Sequence, residues 1–335
     1  MDDYTEAAAQ LRAKLTHIPD MKALVRFATL AANGHNSQPW RFAIRKNAIS
    51  ILPDFSRRTP VVDPDDHHLY ASLGCAAENV LIAGKAHGLS AATRFDDTGE
   101  GRIDIDLAPA PAQPDALYEA IPKRQSTRSE YSGRSASTDD LKRLEAAAKI
   151  KGVSMILITD EAGRERVLDH VIAGNSFQMD DPQFVQELRD WIRFNPSEAL
   201  RTRDGLFTAC SGNPTMPAWI GKPMFNLFFS KDAENEKYTK QLRSSAGVAV
   251  FIGDREDKHH WVQVGRSFQR FALQATALGM RHSHINQPIE VPSVRPQFSN
   301  GLGFGDVRPD LVVRFGYAPL LPMSMRRSVE NIITS

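Results

Sequence analysis

Apolar and polar residues are arranged along this chain in two related sets of elements, one short and one long. Residues 74–88, GCAAENVLIAGKAHG, and 265–279, GRSFQRFALQATALG, each run from glycine to glycine over the same length. Val80, Leu81 and Ala83 of the first align with Phe271, Ala272 and Gln274 of the second, and Ala86 aligns with Ala277. The helical spacing and high apolar content predict two long buried helices, over 68–87 and 258–279. Each closes on a glycine followed by Leu89 or Met280, as a helix C-cap does. Upstream, LVRFATLAA (24–32) and LKRLEAAAK (141–149) each lead into a short strand, RFAI (41–44) or SMILI (154–158). The order helix, strand, long buried helix occurs twice. This predicts an internal duplication within one unit over 1–335, with copies at about 20–110 and 115–335. Paired Ala-rich helices also arise by chance, and that alternative stays open here.

The copies differ where helix meets strand and where strand meets buried helix. The first copy joins helix to strand through NGHNSQPW, the second through the plain IKGV. Between strand and buried helix the first spans 42–74, whereas the second spans 155–265. The extra length predicts helices at 161–173 and 181–193, followed by a loop-rich stretch at 201–229. Glycine and proline interrupt that stretch, yet Trp219, Met224, Phe225 and Phe228 make it apolar. Long loops are uncommon in compact domains unless they act as lids, so a lid or insertion at about 195–235 is one reading. A surface excursion packed on the core is the other.

Composition narrows the class of partner. With 41 Lys and Arg against 40 Asp and Glu in 335 residues, the formal charge is +1. That balance gives no electrostatic footprint for nucleic acid or an anionic membrane. No apolar run approaches the roughly 20 residues that span a bilayer. The polar start MDDYTEAAAQLRAKL lacks the apolar core of a signal peptide. Cys75 and Cys210 stand far apart and outside any CxxC pattern, as two free thiols in a reducing compartment would. These features predict a soluble, cytoplasmic protein.

Candidate chemistry lies in two short segments. Residues 33–42, NGHNSQPWRF, crowd large polar groups and rigid rings into one loop. In IPKRQSTRSEY (121–131), Arg124, Ser126 and Arg128 alternate. In an extended segment, two guanidinium groups and a hydroxyl would share a face and suit a phosphate or another oxygen-rich anion. Alternating exposed arginines also describe an ordinary solvated face.

Together these residues resemble the FMN-dependent nitroreductase superfamily. NGHNSQPWRF is similar to its QPW loop, KRQSTRSEY to its R-x-S-x-R motif, and RFGYAPLLPMSMRRSVENII (314–333) to its C-terminal ending. DFSRRTPVVDPDDHHLYASLG (54–74) and ATALGMRHSHINQPIE (275–290) resemble the internally duplicated Acg-like branch. The loop departs from the family where Ala32, Asn33 and Gly34 replace its Pro-Ser-Ser. The resemblance implies an α+β nitroreductase-like fold, with mixed, mainly antiparallel sheets around the two long buried helices. It also implies FMN as cofactor, NAD(P)H as hydride donor, and a quinone, nitro compound or other small acceptor taken in ping-pong order.

The roles of residues follow from the same resemblance. Arg124, Ser126, Arg326 and Arg327 are candidates for phosphate and ribityl contacts. Arg128 matches the position at the pyrimidine edge of the flavin, where a cation favours the reduced form. Gln241 falls near another ring contact, and His282 and His284 lie on the loop facing N5. Asn33, Gly34 and Asn36 would approach from the first copy, with Pro39 and Trp40 stiffening the loop. For Trp40 a plain core position is the alternative, and for the histidines a surface one. One QPW loop and one R-x-S-x-R motif imply a fused pseudo-dimer with a single composite site, working as a monomer. A flavin-sequestering protein, with a lid over FMN and no turnover, is the competing function.

Other patterns carry less. His67–His68 and His259–His260 lack the zinc-helix spacing, so no metal is expected from them. GLGFG (301–305) imitates a dinucleotide fingerprint without a preceding strand, and reads as a loop.

Overall fold

The structure is a computed structural model that describes residues 1–13 and 20–334; the side chains of Asn226 and Phe228 lie outside the description. Its eleven strands are β1 (Trp40–Arg45), β2 (Ala48–Pro53), β3 (Leu89–Asp96), β4 (Arg102–Pro109), β5 (Val153–Ile158), β6 (Ile192–Arg193), β7 (Leu206–Phe207), β8 (Gly247–Gly253), β9 (Arg281–His284), β10 (Leu311–Gly316) and β11 (Ile333–Thr334). They form a five-stranded sheet, β11-β1-β2-β4-β3, a four-stranded sheet, β5-β8-β10-β9, and the small pair β6-β7. Within β1-β2-β4-β3 and within β5-β8-β10-β9 every neighbouring pair is antiparallel. Numbered along the chain, both sets have the order first, second, fourth, third.

The 20-residue helices His67–Ala86 and Lys258–Ala277 pack against each other between the sheets. The first is buried nearly all round, because Ala, Gly and Cys dominate its middle; the second keeps a polar edge. They touch backbone to backbone. A Cβ on Gly74 would stand 2.0 Å from the Val262 carbonyl oxygen, and one on Gly265 would stand 1.8 Å from that of Ala71. The two contacts are reciprocal, since Val262 and Gly265 lie 191 residues after Ala71 and Gly74. Past the helices the chain turns through Gly88 and Gly279, at φ 81° and 76°, a left-handed backbone that suits glycine.

Strands β8 and β10 are continuous apolar runs, as buried central strands tend to be. Arg314 in β10 is wholly buried, stacks on the Tyr131 ring at 4.0 Å, and donates to the carbonyls of Thr127 (3.2 Å) and Ser129 (2.8 Å). After β10 the chain leaves its own sheet and crosses to the other, where β11 pairs in parallel with β1.

The extra segment of the second half differs from the sequence expectation. Its first helix runs on to Asp180, because Gly174 lets it lie on the Gln287 backbone; a Cβ there would be 2.5 Å from the Gln287 oxygen. Pro182, behind the Asp181 cap, starts the second helix, which ends at Trp191 before β6. The stretch expected to be loop holds a helix, Ala218–Phe228, despite the internal Pro223. A further helix, Lys231–Arg243, precedes β8. Gly303 and Gly305 lie in a turn after the Arg295–Gly301 helix, with no strand before them.

Replacing Gly265 with alanine forces these helices apart at their closest point. The expected cost is roughly 1–3 kcal/mol or more, read as a lower midpoint in denaturant unfolding. An unchanged midpoint would contradict the tight crossing.

Candidate functional site

The loop after the Met21–Thr29 helix is strained and heavily braced. His35, Asn36 and Gln38 all have positive φ, at 50°, 54° and 56°. Such conformations cost of order 1–3 kcal/mol each outside glycine and persist only where neighbours enforce them. Here they do. The Asn33 side-chain oxygen accepts from the Gln38 amide at 2.9 Å, and the Gln38 side chain donates to the Arg203 carbonyl at 2.9 Å. Asn36 donates to the Gly205 (3.1 Å) and Met325 (3.3 Å) carbonyls and accepts from Arg326 at 2.8 Å. The Ala32 amide is tied to Gln269 of the second long helix at 3.3 Å. The wholly buried Trp40 belongs to the core beside this loop and lines neither cavity described below.

Behind the loop lies a small pocket of about 50 Å3, lined by Asn33, Asn36, Arg124, Ser126, Arg128 and Arg326 among others. At roughly 10–15 Å3 per water-sized group, it holds three to five such groups. Arg124, Ser126 and Arg128 all reach it, as their alternation predicts, and Gln125 reaches it too. A single bridge between Ser126 and His282 holds the segment against β9, while Gln241 donates to the Arg128 carbonyl. Arg124 gives one nitrogen to the Leu30 carbonyl at 2.9 Å; its Nε and Nη1 are buried without partners. Arg326 spends its guanidinium on Thr29 (2.6 Å), Asn36 and Met325 (2.9 Å). No carboxylate lies in this wall among the described residues. Burial pushes the Arg124 guanidinium down to about 10 and lowers that of Arg326 well below its ordinary value.

The pocket shares Ala32, Asn33, Arg128 and Leu206 with a larger cavity of about 210 Å3. One wall is Asn33, Gly34 and His35; another is His68, Ala71, Ser72 and Cys75 of the first long helix. The extra segment closes it with Phe184, Leu206, Phe229 and Tyr238. His284 stands on its floor against Phe268, ring centroids 4.6 Å apart. Burial, aided by His68 and Arg128, pushes His284 down to about 3; burial with Arg128 and His68 pushes His35 to about 4. Both imidazoles are therefore neutral at pH 7, able to donate one N–H but carrying no charge. At the far end Gln178 donates to Glu290 at 2.7 Å, and burial raises the Glu290 carboxyl. The buried Gln287 side-chain oxygen has no partner.

Three site candidates, Gln241, His282 and Arg327, fall outside both cavities, as do the loop stiffeners Pro39 and Trp40. Gln241 braces the Arg128 backbone from behind. His282 is buried edge-on to Phe268, and neither ring nitrogen finds a partner. Arg327 turns toward Asp54 and the Gln38 carbonyl, at 3.5 and 3.4 Å. Conversely, Arg12 from the N-terminal helix Asp2–Leu11 lines the small pocket, with nothing in its local sequence to signal it. His35 stood in the quoted loop but was not singled out, His68 was weighed only for zinc-helix spacing, and Glu290 lay in a stretch read for resemblance. Asp63, His67 and His68 bring ligand-type atoms within 4.8 Å of one another. Asp63 there accepts from the His68 and Leu69 amides, and His67 pairs with Asp310 at 2.9 Å.

With this geometry in view, the chain can be compared with known proteins. No family model matches it. In Mycobacterium tuberculosis, strains H37Rv and CDC 1551, a protein named as a candidate NAD(P)H nitroreductase is 25% identical over 342 residues, 95% of this chain and 93% of the relative. The solved structure of a candidate nitroreductase from Anabaena variabilis matches with a TM-score of 0.54 over 93% of this chain and 91% of that one, at 11% identity. The fold is nitroreductase-like. The structure of the FMN-dependent nitroreductase NfnB of Mycobacterium smegmatis with NADPH overlaps less, with a TM-score of 0.41 over 61% and 87% of the chains at 14% identity. In this nitroreductase-like fold no helix among the described residues is long and apolar enough to cross a membrane.

The neutral histidines predict an acid weakness. His35 and His284 titrate lower folded than unfolded, where the value is 6.5, so the unfolded chain binds more protons below that pH. Stability is therefore expected to fall as pH drops from about 6.5 toward about 4, and to fall less in His284→Gln. Denaturant midpoints measured across that range check both.

Proposed function

We propose that the chain binds one FMN and acts as an NAD(P)H-dependent oxidoreductase of nitroreductase type, on a quinone, nitro compound or similar small acceptor. One observation carries this reading: a carboxylate-free pocket of buried guanidinium groups opens, past Arg128, into a larger cavity of mixed polarity. FMN has the matching sequence of parts: a dianionic phosphate, a hydroxyl-bearing chain and a flat ring. The orphaned Arg124 nitrogens suit phosphate oxygens, and Ser126 can serve the phosphate or ribityl hydroxyls. When bound, FMN supplies the hydride chemistry that the side chains lack.

The chain's own residues hold and tune. Arg128 puts a positive charge at the junction of the two cavities, without any hydrogen bond or ion pair from its guanidinium among the described residues. Leu206, Phe229 and Phe268 keep water from the larger cavity, and neutral His284 offers an N–H. Donor and acceptor would use that cavity in turn. The matching strand orders and reciprocal glycine contacts support a fused, Acg-like pseudo-dimer with one composite site; on this reading the chain works as a monomer, in the cytoplasm. Leu206 and Phe229 come from the extra segment and suit a lid, so sequestration without turnover is the second reading.

Anaerobic titration with NADH and NADPH separates the two. One bound FMN per chain, bleached by a nicotinamide and restored by a quinone, is expected. A flavin that neither nicotinamide bleaches leaves sequestration; two FMN per chain end the composite site. Arg128→Ala is expected to lower the two-electron potential by about 30–60 mV, equivalent to one charged hydrogen bond. Arg326→Ala is expected to weaken FMN binding by about 1.5–3 kcal/mol. Arg327→Ala, outside the pocket, should weaken it much less, and equilibrium binding of FMN to both variants decides.

A further inference from the structure

The small pocket has a wall that the motifs do not supply. Arg12, at the end of the Asp2–Leu11 helix, meets Arg124, Arg128 and Arg326 there, so four arginines line one space. Arg12 donates to the Ala8 carbonyl at 3.3 Å and the Ser324 carbonyl at 2.8 Å; its Nε has no partner among the described residues. Burial pushes its guanidinium down to about 10, and burial together with Arg12 lowers Arg326. Four like charges withdrawn from water without a carboxylate oppose folding unless an anion joins them.

The helix that carries Arg12 buries Tyr4 and Ala8 in a small satellite core with Phe207, Cys210 and Met325. Tyr4 donates to the Met323 carbonyl at 2.8 Å and packs its ring on Phe207 at 4.6 Å. The Tyr4–Met323 and Arg12–Ser324 bonds join the helix to the segment that bears Arg326, while Phe207 ties it to the extra segment. Docking therefore brings a fourth cation to the pocket, which disfavours the docked state when the pocket lacks an anion and favours it when a dianion is present.

We propose that the N-terminal helix is a phosphate-coupled latch, in which Arg12 contacts the bound phosphate group and makes the site select phosphorylated over unphosphorylated flavin. This rests on the FMN reading for the flavin and on the pocket alone for the anion. Binding of FMN and of riboflavin is measured on wild type, Arg12→Ala and Arg12→Lys. Arg12→Ala is expected to weaken FMN about 10- to 100-fold, as loss of a charged hydrogen bond does, while riboflavin binding stays within about twofold. Arg12→Lys should recover most of the FMN affinity. An equal loss for both flavins would make Arg12 a packing residue and overturn the proposal.

Hydrogen exchange supplies a readout that needs no flavin. Inorganic phosphate is expected to slow exchange in residues 2–11 of the wild type and not of Arg12→Ala. If wild type binds neither flavin but phosphate still protects the helix, the FMN reading fails and the latch stands. If phosphate protects neither protein, or both alike, the latch is wrong.

Discussion

Backbone contact between the two long helices is the constraint on which the other features depend. Gly74 and Gly265 have no side chain to hold the axes apart, so each helix rests on a carbonyl of the other. That closeness carries both sheets inward. It also brings Gln269 within reach of Asn79 at 2.8 Å and of the Ala32 amide, which anchors the strained loop to the helix pair. Glu78, buried beside the crossing, pairs with Arg266 and Arg270, each at 2.9 Å. The centre is thus both tightly packed and polar, with every charge answered locally.

The small arginine-lined pocket follows the opposite rule. Where its arginines find partners, these are carbonyls and the Asn36 amide oxygen, which accept hydrogen bonds without neutralising charge. Such a site is costly on its own, and the expense is spread over distant elements: β10 through Arg314, the tail through Arg326, the loop through Asn36. The strained φ values at 35, 36 and 38 belong to this arrangement, because they turn Asn36 to grip Arg326. Strain and buried charge are concentrated at the same place, as they tend to be where a protein has been shaped around a ligand.

Much of this was legible in the sequence where the signal is local. The helical periodicity of 74–88 and 265–279 marked the elements that became the central pair, and the spacing of Arg124, Ser126 and Arg128 marked one wall of the pocket. What could not be read depends on contacts remote in sequence. Arg327 and Arg326 are adjacent and chemically alike; only the path of the tail sends one to Asp54 and the other to Asn36. Gln241 and His282 were near the site in motif order but stand behind it, bracing backbone. The helix over 218–228 was hidden by its proline and glycine, which read as loop signals unless tertiary packing is known. Arg12 had no motif at all.

The tail that leaves β10 and ends beside β1 has a consequence for how the molecule assembles. Arg12 and Arg326 meet in one pocket although they are 314 residues apart, and Asn36 waits nearly as long for its partner. During synthesis the early loop is made, and its sheet begun, long before the arginine that holds it exists. The bond between Asn36 and Arg326 joins residues 290 positions apart, so the loop gains this brace only after that much more chain has been made.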